Sequence, residues 1–194
     1  MTDEQLVFYC SPTLAGLKTG NLFHCRYECP EGGCGGVCKM RCRLVAEFRE
    51  LNRTLNPKGL RIIPLRIRNG SVLTYLYRPA DLARDLASPE AQSLLEELGY
   101  GGLSVNQCLT KLRVTLQYGE DFPHEIGLFL GYPVEDVRGF IEQGSDRCKC
   151  TGCWKVYGDV RSAEKLFAKY DCCTACYLHQ LAAGTPLDRL AVAV

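Results

Sequence analysis

Hydrophobic positions along the chain change period several times, and each change marks an element. Leu44, Phe48, Leu51 and Leu55 recur every three or four residues after Lys39, the spacing of one helical face, until Asn56-Pro57-Lys58-Gly59 ends the run. At Ile63, Leu65 and Ile67 the period drops to two, with Pro64, Arg66 and Arg68 between. Asn69-Gly70 follows, and then Val72 to Tyr77. This predicts a β-hairpin with a two-residue turn, and Pro64 puts its first strand at a sheet edge or a bulge. Helical periodicity returns over Pro79–Leu98, interrupted at Ser88-Pro89, and over Ser104–Tyr118, with Val105, Leu109, Leu112 and Leu116 on one face. Residues 122–143 predict two short helices joined at Gly131-Tyr132-Pro133. Trp154–Tyr157 predicts a short strand, and a long helix from Asp159 or Ser162 runs into the last cysteines. At the other end, Gln5–Cys10 reads as a strand. Ser11-Pro12 reads as the cap and first residue of a helix to about Lys18, and Asn21–Tyr27 as a second strand.

These elements predict an α+β fold: a small, mostly antiparallel sheet around the 61–78 hairpin, covered by helices. The 194 residues read as a single domain, 1–194, with cysteine-rich insertions at 25–42 and 148–176. Composition is globular, with 46% hydrophobic and 23% charged residues. A net charge of +1 argues against a dedicated nucleic-acid binder. No run approaches the ~18–20 apolar residues of a membrane helix, and the opening MTDEQLVFYCSPT lacks the basic region of a signal peptide. The expectation is a soluble, cytoplasmic protein with no nucleic-acid or membrane partner.

Thirteen cysteines change the picture. In a reducing compartment, clustered thiols point to metal or redox chemistry rather than to structural disulfides. Cys25, Cys29, Cys34, Cys38 and Cys42 surround a Gly-rich stretch that reads as a loop without core-forming side chains, so metal ligation is the expected ordering force. Cys148, Cys150 and Cys153 precede the predicted strand, and Cys172, Cys173 and Cys176 follow most of the long helix. An antiparallel strand and helix of similar length would bring the two triplets together as one site. Thiolate sets of this kind suit an iron–sulfur cluster, with zinc as the alternative, though neither spacing is a standard ribbon or ferredoxin run. His179 reads as a solvated helix residue and Cys108 as core.

A second line of chemistry is nucleophilic. Cys10 at a strand-to-helix junction would feel the positive end of the helix dipole, which lowers a thiol pKa, with Lys18 adding charge. His124 could act as its base, and Glu125 as the group orienting it, although both also read as ordinary residues of a helix start. Lys18, Tyr132 and Trp154 are the candidate cofactor contacts, a charge and two flat rings. The aromatic residues, Tyr157 among them, also read as core anchors. Arg61, Arg66, Arg68 and Arg78 read as a solvated face. No dinucleotide-binding, Walker or zincin motif is present.

The segments CSPTLAGLKTGNLF (10–23), FPHEIGLFLGYPVEDVRGF (122–140) and WKVYGD (154–159), with the hairpin ending Leu76-Tyr77-Arg78, resemble the signatures of a family of anaerobic Firmicutes catalogued as domain of unknown function 3793. The resemblance covers most of the chain. It implies a cytoplasmic protein of anaerobes, a setting that suits oxygen-labile clusters, and it brings no assigned activity. The leading expectation is therefore a metal-binding protein carrying one or two iron–sulfur clusters, of 4Fe-4S type, for electron transfer, redox sensing or cluster handling with a redox partner protein. The alternatives are an enzyme using Cys10 and His124, and a structural zinc protein acting as an interaction module.

Overall fold

The computed structural model describes residues 1–26 and 33–193, the side chains of 33–41 excepted. In chain order the elements are α1 (Asp3–Leu14), β1 (Gly20–Arg26), α2 (Gly33–Leu55), β2 (Arg61–Arg68), β3 (Ser71–Tyr77), α3 (Pro79–Leu86), α4 (Pro89–Glu97), α5 (Val105–Tyr118), α6 (Ile126–Phe129), α7 (Val134–Gln143), β4 (Cys150–Thr151), β5 (Lys155–Val156), α8 (Val160–Ala182) and α9 (Leu187–Leu190). β1, β3 and β2 form an antiparallel sheet with β3 in the centre. The register runs from Gly20 opposite Tyr77 to Arg26 opposite Ser71, and from Arg61 opposite Tyr77 to Arg68 opposite Ser71.

The pleat sorts the sheet residues into two cores. Phe23, Cys25, Ile62, Val72 and Leu76 pack with Leu6, Val7, Cys10 and Leu14 of α1, Leu44 and Phe48 of α2, and Leu187 and Leu190 of α9. Leu65, Leu73, Tyr75 and Tyr77, with Leu22 and Ile63, pack against α3 to α7 on the opposite face. The sheet thus lies between two helical layers. The hairpin turns at Asn69 (φ 49°) and Gly70 (φ 72°), the left-handed pair that a type I′ turn requires. The register shifts between Pro64 and Arg66, a bulge on the edge strand β2. Its extra residue breaks the alternation read from the sequence: Ile63 and Leu65 face one core, and Ile67 packs with the other. A third, smaller core joins the β4–β5 hairpin to the first half of α8 through Trp154, Val156, Ala163, Phe167 and Tyr170.

Three expectations are corrected. Gln5–Cys10 is helix, not strand. Thr2 and Gln5 form a reciprocal capping box, and the helix then carries through Pro12 to Leu14. Pro12 falls in the last turn, where one lost backbone bond is tolerable, so Ser11-Pro12 does not begin a helix there. The cysteine-rich stretch 25–42 is not one loop, since β1 runs to Arg26 and α2 begins at Gly33. Cys29 lies outside the described residues, as do the side chains of Cys34 and Cys38. Finally, Arg78 is buried rather than solvated. Its guanidinium donates to the carbonyls of Thr13, Leu14 and Val192, each at 2.8 Å, and so closes the C-terminal end of α1.

Candidate ligand site

The turn between α1 and β1 is held from several sides. Besides Arg78, the Thr13 hydroxyl donates to Asn21 Oδ1 at 2.7 Å, and the Thr19 hydroxyl donates to the Asp85 carboxylate. This turn directs Lys18 inward, leaving it 9% exposed. Its Nζ lies 5.1 Å from the centre of the Tyr132 ring and 6.0 Å from that of Tyr170. Tyr132, in the α6–α7 turn, stacks on Trp154 with centroids 4.8 Å apart, and Trp154 meets Phe167 edge-on at 4.5 Å. The Tyr132 hydroxyl donates to the Cys153 carbonyl at 3.3 Å and the Tyr170 hydroxyl to the Leu17 carbonyl at 3.4 Å.

No hydrogen bond or ion pair engages Lys18 Nζ among the described residues. Burial lowers its pKa from 10.5 to about 8, against the opposing pull of the Cys153 and Cys10 thiols. Burial also raises the Tyr132 and Tyr170 phenols to about 12, so both rings stay neutral. Lys18 faces a cavity of about 270 Å³ that is also lined by Tyr9, Asn21, Tyr132, Cys153, Tyr170, Asp171 and Thr174. Asn21 Oδ1 is occupied by Thr13, so its amide nitrogen is the donor it has left.

A second cavity, of about 400 Å³, lies beside the first, and Leu22, Leu130 and Tyr132 line both. Its other walls include Phe122, His124, Ile126, Val137, Phe140 and Trp154. His124 sits edge-on to Phe140 at 4.7 Å. Asp136, also at this cavity, is fully committed: it accepts from Trp154 Nε1 at 2.7 Å, Tyr157 N at 2.7 Å and Gly158 N at 2.8 Å. The larger hollows, between α2 and β2 and between α2 and α9, are open surface grooves, and the enclosed charge at the second, the Met1 ammonium, is already paired with Glu47 at 2.6 Å.

The structure therefore brings together the three residues expected to contact a cofactor, Lys18, Tyr132 and Trp154. It does not assemble the nucleophile. Cys10 is fully buried in α1, and burial pushes its thiol up, opposite to the expected lowering, although Lys18 does act in the expected direction. It belongs to one core and the His124 cavity borders the other, so the sheet stands between them. Glu125 accepts from the Tyr100 hydroxyl at 2.8 Å and ties the α4–α5 connection to the start of α6.

The described cysteines are dispersed. Cys25 is buried on β1, where it accepts from the Thr74 hydroxyl at 3.8 Å, and Cys42 is exposed on α2. Cys148 and Cys150 are half-buried around the β4–β5 hairpin, and Cys153, at its turn, enters the Lys18 cavity. Cys172 and Cys176 are exposed on α8 and Cys173 half-buried, its thiol pushed up by burial and by the two neighbouring thiols. Among the described residues no group of three or more His, Cys, Asp or Glu side chains is arranged to hold a metal ion. The expected meeting of the triplets assumed matched lengths. β5 has two residues, about 7 Å, while α8 rises about 18 Å between Val160 and Cys172 and continues beyond it. Cys153 borders the same cavity as Asp171 and Thr174 of α8. Asn21, Tyr170, Asp171 and Thr174 line the cavity without a sequence pattern that points to them. Their signal is faint, since a Tyr among apolar neighbours reads as core and Asn as a turn residue.

No helix among the described residues is long and apolar enough to cross a membrane. Residues 6–191 match a family model described as a protein of unknown function, DUF3793. No curated protein and no solved structure matches the chain.

Proposed function

The chain belongs to the DUF3793 family, and from that premise we propose that it is a small-molecule-binding protein whose Lys18 cavity takes the anionic end of its ligand, a carboxylate or a phosphate. The observation that carries this reading is the enclosed Lys18 ammonium, which has no anionic partner among the described residues. Burying an unpaired charge is costly, and a ligand anion would offset that cost. Asp171 lines the same cavity, but no ion pair joins it to Lys18. Calorimetric titration with acetate and with inorganic phosphate tests the reading. Binding should be strongest where Lys18 is charged and should weaken about tenfold between pH 7 and pH 9, because its pKa is about 8. Lys18→Met should abolish it. Equal binding by parent and variant overturns the assignment.

A second reading, thiolate metal binding with an iron–sulfur cluster as the first choice, is favoured by one contact: Cys153 and the Asp171–Thr174 turn of α8, between which Cys172 and Cys173 lie in sequence, border the same cavity. The visible spectrum of anaerobically purified protein tests it. Thiolate-to-iron absorption near ~400 nm supports it, and colourless, metal-free protein removes it.

A further inference from the structure

We infer that the ligand is a ring-bearing anion lying across the ridge formed by Leu22, Leu130 and Tyr132, with its charge at Lys18 and a flat apolar ring in the slot beside His124; this rests on the Lys18 reading. The two cavities meet along those three residues, and Leu22 and Tyr132 are partly exposed, so one molecule can contact both sides of the ridge. Their chemistries are complementary rather than alike. The Lys18 side supplies a buried cation, with the Asn21 amide and the Thr174 hydroxyl on the walls of the same cavity as donors for an oxygen anion and the Asp171 carboxylate as its one acidic group.

The slot supplies rings and aliphatic walls, and its carboxylate, Asp136, is already engaged. Asp136 is saturated by three donors, and the Lys155 ammonium gives one of its three donors to the Ser145 carbonyl at 2.9 Å. A ligand charge placed among these apolar walls would lose its hydration, whereas a flat ring would gain contact with Trp154, Tyr132 and Phe140. The His124 ring makes no hydrogen bond among the described residues, which leaves its imidazole for a heteroatom on the ligand ring. The slot is also rigid. Trp154 is fixed by Asp136 and Phe167, and a Cβ on Gly127 would come within 2.7 Å of Val137 Cγ2, so the floor has no slack. Taken together, the two volumes fall in the usual range of small-molecule sites, about 300–1,000 Å³.

Calorimetry on the full chain with three probes tests this: acetate for the charge alone, 2-naphthamide for the ring alone, and 2-naphthoate for both. Ring burial predicts that 2-naphthoate binds at least about tenfold tighter than acetate. It should also bind at least about tenfold tighter than 2-naphthamide, an advantage that Lys18→Met should erase. Phe140→Ala should bring 2-naphthoate toward the acetate value. Should that variant fail to fold, Phe122→Ala at the exposed rim takes its place and should cost a smaller part of the same gain. If 2-naphthoate binds no tighter than acetate, or keeps its full affinity in the slot variants, the ring assignment falls while the Lys18 reading stands. If 2-naphthoate and 2-naphthamide bind alike in both parent and Lys18→Met, the Lys18 reading has failed and the inference falls with it.

Discussion

Lys18 is held in a place that works against the stability of the fold. Its pKa of about 8 in the folded chain, against 10.5 when exposed, means that at neutral pH the folded state carries an ammonium that it holds less well than water does. The unfolded chain therefore binds more protons between pH 8 and 10.5, and this group makes stability rise with pH across that window. Below pH 8 both states are protonated and the full penalty, about 3 kcal/mol, applies. Lys18→Met should accordingly stabilise the protein at pH 7 by about 2–3 kcal/mol in urea denaturation, and its advantage should vanish by about pH 10.5. The comparison with the parent is essential, because buried Cys10 acts in the opposite sense. Its raised pKa leaves the folded thiol neutral while the unfolded one ionises, so stability falls above pH 9 in both proteins. A variant no more stable than the parent at pH 7 would mean that the ammonium is not desolvated. Residue types alone pointed to Lys18, Tyr132 and Trp154, a cation and flat rings. What they could not give was the meeting of three turns far apart in the chain. For Cys10 the same limit reversed the outcome, since the dipole argument needs a helix start, and the residue lies inside α1 and under a core.

Among the elements, the hairpin of β2 and β3 is the most legible, because Asn69-Gly70 suits a turn that few other pairs can make, and Pro64 points to an edge or a bulge, of which the strand has both. α1 departs from the expected strand although its helical signals are present: Thr2 and Gln5 have capping-box spacing, and Leu6, Val7, Cys10 and Leu14 follow a helical stripe. A Ser-Pro pair near its end resembled a beginning. The β4–β5 hairpin was half-visible. With two residues per strand it has little stability of its own, and its position depends on Asp136 of α7, whose carboxylate gathers Trp154, Tyr157 and Gly158. Asp136→Ala would leave two buried donors and one half-buried donor without their acceptor. The expected cost is about 3 kcal/mol or more by urea denaturation, because hydrogen bonds to a charged group are stronger than neutral ones. Trp154 is the only tryptophan in the chain, so its emission should also shift to the red as the hairpin loosens from α7. An unchanged midpoint and emission would show that Phe167 and Tyr170 hold the hairpin without help.

For the whole molecule, the question is whether a sheet between two helical layers unfolds as one body, as its reading as a single domain requires. The thiols are placed to answer it. Cys10 and Cys25 are buried in the layer of α1 and α2, Cys108 is buried in the layer of α3 to α7, and Cys42, Cys153, Cys172 and Cys176 are exposed. In native protein the exposed group should react with a maleimide first. The three buried thiols should react about 10³-fold or more slowly, because each must wait for an opening close to global unfolding in free energy. Both layers share β3, whose alternate residues feed the two cores, so neither can open without uncovering half of the other's support. Peptide mass spectrometry across a urea series should therefore give Cys10, Cys25 and Cys108 a common dependence on urea. If Cys108 becomes reactive at clearly lower urea than Cys10 and Cys25, the α3–α7 layer opens as its own unit. Leu22 and Tyr132 would then belong to parts of differing stability, and the site they share would form only when both are folded.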